Sequence, residues 1–239
     1  MKNEINEAHE AADEKVSGSN LEERKIVIPG EVITSGDDFL PGEWTFREDD
    51  NIIANRYGLA EQVGRVIKII PLSGAFTPRR NNVVLGRVTD ITHNGWLIDI
   101  DYANKGFLPI AESPRYINKH EMDQYLAIGD LVSGKIWSIS GRGIDLSFKG
   151  KGLGKLEEGF AFRITPSRVP RIIGREGSMI NLIKEKTGCN ISVGQNGWIW
   201  VKGEDIDSEI RARKSIEFIA DKVYIGGLTE KMEGWFEKN

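Results

Sequence analysis

Residues 169–180 read Val169-Pro170-Arg171-Ile172-Ile173-Gly174-Arg175-Glu176-Gly177-Ser178-Met179-Ile180 and decide how the C-terminal third of the chain folds. Val169–Ile173 has the makings of a short helical turn, and Gly174 closes it. Ser178 is a candidate N-cap for an amphipathic stretch running to Thr187, and Gly188 stops that stretch. Met179, Ile180 and Ile183 share one face of it. Two glycines three residues apart therefore join two helices through a tight loop. With no Cβ at either end, a sugar-phosphate backbone can approach closely. The second helix then presents free N–H groups and a partial positive charge to phosphates. Six basic residues lie between Arg163 and Lys186 (Arg163, Arg168, Arg171, Arg175, Lys184 and Lys186), against only Glu176 and Glu185.

The flanking pattern completes a unit. Phe160–Thr165 is strand-like. Asn190–Val193 and Trp198–Val201 form a hairpin over Gly194-Gln195-Asn196-Gly197, with Asn-Gly as the turn signal. Trp198 and Trp200 are expected to divide between core and solvent. Asp205–Val223 is the longest helix, with Ile206, Ile210, Ile216, Ile219, Ala220 and Val223 as its apolar stripe. The order is βααββα. With its Gly-Arg-Glu-Gly loop between two helices, this module resembles a KH domain, whose GXXG loop clamps nucleotides. The resemblance implies RNA contact through Arg168, Arg171, Ile173, Gly174, Arg175, Gly177, Ser178 and Lys184. Glu176 is discordant, because a carboxylate there opposes phosphate.

Outward from the KH-like module, Lys149–Lys155 is a Gly/Lys stretch that reads as a linker. Before it, residues 79–149 hold five strands: Val83–Ile91, Gly95–Asp101, Gly106–Pro109, one from Gly129 to Ile139, and Gly143–Phe148. A polar insert with room for a short helix follows the third. That is the arrangement of an OB-type barrel. Gly86-Arg87-Val88-Thr89-Asp90-Ile91, Gly95-Trp96-Leu97-Ile98-Asp99-Ile100, Gly106-Phe107-Leu108-Pro109 and Gly129-Asp130 resemble an S1-like module. Such folds stack single strands on aromatic residues beside basic ones. The positions usually aromatic are Asn94 and Leu97 here, so either Trp96 and His93 stand in or base stacking is largely lost. Trp96 reads equally as barrel packing, and Arg79, Arg80 and Arg115 are the candidates for supplying charge.

Residues 25–78 show short runs broken by Gly and Pro: Ile26–Ile28, Glu31–Thr34, Trp44–Arg47, Asn51–Ala54 and Gln62–Ile70. They predict a small β barrel or sandwich. Residues 1–24 carry three basic and seven acidic residues and almost no large apolar ones, so an acidic, disordered tail is expected. The net charge of −4 thus belongs to that tail, and the rest of the chain is neutral overall. A mild pI is therefore no obstacle to a polyanionic partner. The expected organisation is the tail at 1–24, a β domain at 25–78, an S1-like domain at 79–149, a linker at 150–155, a KH domain at 156–227 and a C-terminal tail at 228–239. The fold class is multi-domain and mainly β, with an α+β C-terminal domain.

Other chemistries fail on the sequence. One cysteine, Cys189, excludes an internal disulfide and a cysteine zinc cage, and it reads as a buried small hydrophobe. His93 and His120 lack a nucleophile partner, and Asp99 and Asp101 lack a third carboxylate. No nucleotide-binding fingerprint is present. No catalytic group, metal or cofactor is expected. No stretch approaches the ~20 apolar residues of a membrane span, and the N-terminus has no apolar signal core. With a single cysteine, a reducing cytoplasm is the expected setting.

The order of a β module, an S1-like module and a KH domain resembles the S1/KH cap subunits of the archaeal exosome over about residues 25–225. Ile28-Pro29-Gly30-Glu31, the Gly95-Trp96 turn with Asp99, and Thr165-Pro166-Ser167 leading to the Gly174–Ser178 loop carry the likeness. The resemblance implies a non-catalytic subunit that binds single-stranded RNA. Three copies would sit on a hexameric ring of phosphorolytic subunits and feed 3′ ends into it, with accessory RNA-binding proteins as further partners. The N-terminal module would then dock on the ring. A free-standing S1/KH regulator of translation or RNA stability is the alternative.

Overall fold

The computed structural model describes residues 25–141, 143–221, 231–232 and 234–236. The acidic tail and Val223 lie outside them. The chain divides into two compact units, Met1–Gly74 and Ala75–Asn239. It is multi-domain and mainly β, as its sequence implies. No helix among the described residues is long and apolar enough to cross a membrane.

The first unit is two small packed sheets. Strands β1 (Lys25–Val27), β6 (Gly58–Val63), β7 (Val66–Pro71) and β3 (Leu40–Pro41) form one, in that spatial order. Strands β2 (Val32–Ser35), β5 (Asn51–Ala54) and β4 (Thr45–Glu48) form the other. Val27, Ile33, Ile52, Ala54, Ala60, Ile67 and Ile69 fill the space between. The run Gln62–Ile70, read as one strand, is instead the heart of a hairpin that turns over Gly64-Arg65.

In the second unit, β8 (Val83–Thr92), β9 (Gly95–Asp99), β10 (Gly106–Pro109), β12 (Gly143–Ser147) and β11 (Leu131–Ser140) close into a five-stranded barrel. The parallel β10–β12 and antiparallel β11–β12 pairings make the closure. The insert is helical at Ile110–Glu112, Lys119–Glu121 and α1 (Met122–Tyr125). It plugs the barrel with Ile117, Met122 and Leu126. The Gly/Lys stretch is no free tether. Gly154–Lys155 forms β13 on the edge of β11, Leu156 N–H donates to the Leu131 carbonyl, and Lys155 pairs with Asp130 at 2.7 Å.

The KH order is present: β14 (Phe160–Arg163), α2 (Val169–Ile173), α3 (Ser178–Thr187), β15 (Asn190–Val193), β16 (Trp198–Lys202) and α4 (Ile206–Asp221), with sheet order β14-β16-β15. Met179, Ile180 and Ile183 are buried against Ile191, Ile199, Val201, Ile216 and Ile219. Three readings need correction. Ile206 and Ile210 are exposed, because the buried face of α4 runs instead through Ala212, Ser215, Ile216 and Ile219. Trp198 and Trp200 share one face, as residues two apart on a strand must: Trp200 is buried and its indole donates to the Glu158 carbonyl, Trp198 is partly exposed, and neither joins the core between sheet and helices. Met232 and Phe236, within the segment read as a C-terminal tail, are buried in the KH core.

The barrel and the KH domain are joined through an open sheet edge. Strand β9 reaches back along β8 only to Arg87, leaving Val83–Gly86 unpaired on that side. The KH hairpin turn fills the gap. Gln195 N–H donates to the Val83 carbonyl at 2.8 Å, and its side-chain oxygen accepts from Val83 N–H at 2.9 Å. Asn196, 3% exposed, accepts from Leu85 N–H and donates to the Leu85 and Ile100 carbonyls at 2.7 and 2.8 Å. Its amide thus serves as a surrogate strand residue. Gly194 permits the approach, for a Cβ there would lie 2.8 Å from the Leu85 nitrogen. Asp101 of the barrel also pairs with Arg163 of the KH sheet.

Replacing Asn196 by Leu leaves the Leu85 amide and two carbonyls without their partner. Urea denaturation is expected to show a loss of about 2–4 kcal/mol. Hydrogen exchange at the Leu85 amide should accelerate in the same variant. Unchanged stability would mean that the hairpin turn does not hold the two folds together.

Candidate nucleic-acid interface

The glycine loop is built as a kinked junction. Gly174 has φ +74° and ψ 177°, and Gly177 has φ +81°. Glu176 between them sits at φ +53°, a left-handed conformation that costs a non-glycine residue on the order of 1 kcal/mol. The two glycines are not equivalent. A Cβ on Gly174 would meet the Met179 backbone nitrogen and Cβ at 2.8 Å, whereas a Cβ on Gly177 would find its nearest neighbour, the Asn181 amide, at 3.6 Å. Gly177, not Ser178, is the N-cap of α3, and no side chain caps it. Ser178 is already helical, so its hydroxyl lies outside the cap position. The α3 N-terminus therefore ends in bare backbone, and Arg175 and Ser178 beside it are exposed.

The basic cluster read around this loop divides. Arg175 stays with it. Arg168 instead donates from Nη1 to the Ala220 carbonyl at 2.9 Å. It lines a cleft of about 670 Å³ with Arg163, Glu217 and Asp221. Burial, and then the charge of Arg168, lowers the pKa of Arg171 below that of an ordinary guanidinium. Ile173 and Lys184 are half-buried. Arg163 is spoken for by Asp101 and lies 4.9 Å over the Trp198 ring.

The barrel residues do not converge either. Trp96, a candidate for base stacking or for barrel packing, is fully buried. Its Nε1 donates to the Leu126 carbonyl at 3.2 Å, and its ring packs on Tyr125 with centroids 5.7 Å apart. The alternation of β9 turns Trp96 inward with Ile98, so it is core. Arg115 lies 5.3 Å over the Tyr125 ring, in the insert. His93 is exposed in the turn after β8. Arg79 and Arg80 precede β8, so a ten-residue strand, roughly 30 Å of extended chain, separates them from His93. Asp99 and Asp101 form no metal pair: Asp99 accepts from the Asp101 N–H at 2.9 Å, and Asp101 faces Arg163. Among the described residues no group of three His, Cys, Asp or Glu side chains is placed to hold a metal.

Sequence reasoning missed exposed aromatic residues, Trp137 among them. Trp137 on β11 is 42% exposed. The inward positions Val132, Gly134 and Ile136 put it on the outer parity of the strand, although the pairing with β12 shifts register at this point.

Comparison with known proteins agrees with this architecture. Residues 159–207 match a KH domain family model. Residues 26–63 match the model for the "Exosome complex exonuclease RRP4 N-terminal region". "Exosome complex component Rrp4" of Methanothermus fervidus is 38% identical over 214 residues, covering 89% of this chain and 95% of the relative. The chain belongs to the Rrp4 family of exosome components. The Nitrosopumilus maritimus family member is 35% identical over 91% of this chain and 97% of its own. That of Methanothermobacter thermautotrophicus is 38% identical over 89% and 68%. The crystal structure of a protein provisionally described as an exosome complex RNA-binding protein superposes with a TM-score of 0.61 at 30% identity, covering 69% of this chain and 97% of that one.

The unequal room around the two loop glycines gives a stability test. Gly177→Ala has only its left-handed φ to oppose it, about 1–2 kcal/mol. Gly174→Ala adds a clash with the α3 backbone and should cost about 1–3 kcal/mol more. Thermal unfolding of the two variants is expected to rank them in that order, and equal melting temperatures would contradict the loop geometry.

Proposed function

We propose that the chain is a non-catalytic RNA-binding cap subunit. It captures single-stranded RNA and feeds 3′ ends into a phosphorolytic exosome ring, with three copies on each hexamer and accessory RNA-binding proteins as further partners. The observation that carries this reading is the near full-length match to Rrp4 relatives, which embraces the N-terminal, barrel and KH regions together.

The N-terminal unit supplies the docking face in this reading. Leu40, Val63 and Val66 are 50%, 53% and 37% exposed. They lie side by side, for Val66 is in register with Leu40 on one flank and with Val63 on the other. Three adjacent apolar side chains on a small sheet are the kind of patch that a partner covers. The Gly174–Ser178 loop supplies backbone-directed contact to phosphates from the bare N-terminus of α3 and from Arg175. Such contacts tolerate any sequence and weaken as salt rises, which suits a subunit that must pass every RNA it holds. Three copies around one pore raise the local RNA concentration, so weak single sites suffice.

The full chain alone should retain a short oligonucleotide at least tenfold more weakly than the chain assembled with its ring. Val63→Asp together with Leu40→Asp should abolish co-purification with the ring while leaving RNA binding by the free chain unchanged. Gly177→Asp should do the converse. If the free chain held RNA as tightly as the assembly, the multivalent reading would be wrong.

A further inference from the structure

Trp137 differs from the other five tryptophans. The Trp44 ring carries the Arg56 guanidinium at 4.4 Å, and Trp198 carries that of Arg163. Trp96 and Trp200 donate their indole N–H to the Leu126 and Glu158 carbonyls. Trp235 packs on Phe218 and Phe236. Among the described residues, the Trp137 indole makes no hydrogen bond or ring contact, although it stands on a barrel strand and is 42% exposed.

Two further features are built around it. The β11–β12 register shifts between Ile136 and Ser138, so Trp137 is the extra residue of a β-bulge and has no partner across the ladder. Bulges re-aim a side chain and recur beside functional sites. The segment before β8 is also pinned to this point. Asn81 N–H donates to the Ile136 carbonyl at 2.7 Å, and Ile136 N–H donates to the Asn82 carbonyl at 2.8 Å. Asn81 adopts φ +72° to make this turn. The exposed Arg79 and Arg80 are thus held within two residues of the backbone that carries Trp137. Lys135, half-exposed, lies two residues back on the same strand, and the exposed Ile139 lies two residues on. The acidic neighbour by register is Asp145, opposite Ser138.

We propose that Trp137 is a stacking platform for a base of single-stranded RNA, with Arg79, Arg80 and Lys135 holding the adjoining phosphates. This rests on the RNA-capture reading above and moves the barrel's contact away from the Gly95 turn, where Trp96 is unavailable. An exposed indole beside three cations and one carboxylate is complementary to a polyanion with flat bases, and stacking accepts any base. Tyr116 is more exposed, at 88%, but it sits in the insert loop with Glu121 nearby rather than on a strand.

The test uses the full chain and fluorescein-labelled oligo(A) twelve nucleotides long, followed by anisotropy at several salt concentrations. Trp137→Leu should weaken binding roughly 5- to 150-fold, the range that stacking one base carries. Trp137→Phe, which keeps a π-face, should retain most of the affinity. Arg79→Ser with Arg80→Ser should flatten the slope of log K against log salt by about 1.4, the release expected from two phosphates on a single strand. RNA should quench tryptophan fluorescence in the wild type and less in Trp137→Phe. If the wild type binds and Trp137→Leu binds equally well, the platform is wrong while RNA capture stands. If the wild type itself does not bind, both fall. Circular dichroism of each variant checks that it has folded.

Discussion

Everything in the second unit depends on how the open edge of β8 is closed. A barrel strand with unpaired N–H and C=O groups at Val83–Gly86 would pay for their desolvation or template a wrong pairing. The KH hairpin turn supplies the missing ladder through Gln195 and the buried Asn196 amide. Asn is suited because its one side chain both donates and accepts, as a peptide group does. The consequence is mechanical. The S1-like barrel and the KH domain form one body, and the ion pair of Asp101 with Arg163 adds a second tie.

That coupling changes what the RNA-binding elements can be. Arg163 is engaged at the junction by Asp101, and Arg168 is bonded to α4 inside the KH domain. What remains outward is a backbone-lined loop at Gly174–Ser178 and, on the barrel, the Trp137 bulge with its arginines. In the reading proposed above neither arrangement reads base edges, and both hold a strand by stacking or by charge. This is the economy expected of a guide that must let RNA slide.

Much of this was legible in the sequence. The βααββα order, the loop glycines and the five barrel strands follow from periodicity and turn residues, because local propensity and tertiary packing agree there. The failures have physical causes. Trp96 reads from the sequence either as a stacking residue or as barrel packing, and strand parity decides for packing by burying it with Ile98. Ser178 reads as a cap, yet a glycine with φ +81° occupies that position. The Asn-Gly turn was visible, whereas the second role of Asn196 was not, since its partners lie about a hundred residues away in the chain. The Gly/Lys stretch reads as a linker because glycine signals flexibility; that it adds a strand to β11 depends on an edge no local pattern reveals.

The account stands or falls on the company this chain keeps. The decisive measurement is a pull-down of the tagged full chain from a lysate of its native cells, with the recovered partners assayed for RNA decay with and without phosphate. The account predicts a multi-subunit ring and 3′-to-5′ decay that requires phosphate. Recovery of the chain alone, or with ribosomes or messenger RNA and no nuclease, would contradict it and make the protein a free-standing RNA-binding regulator.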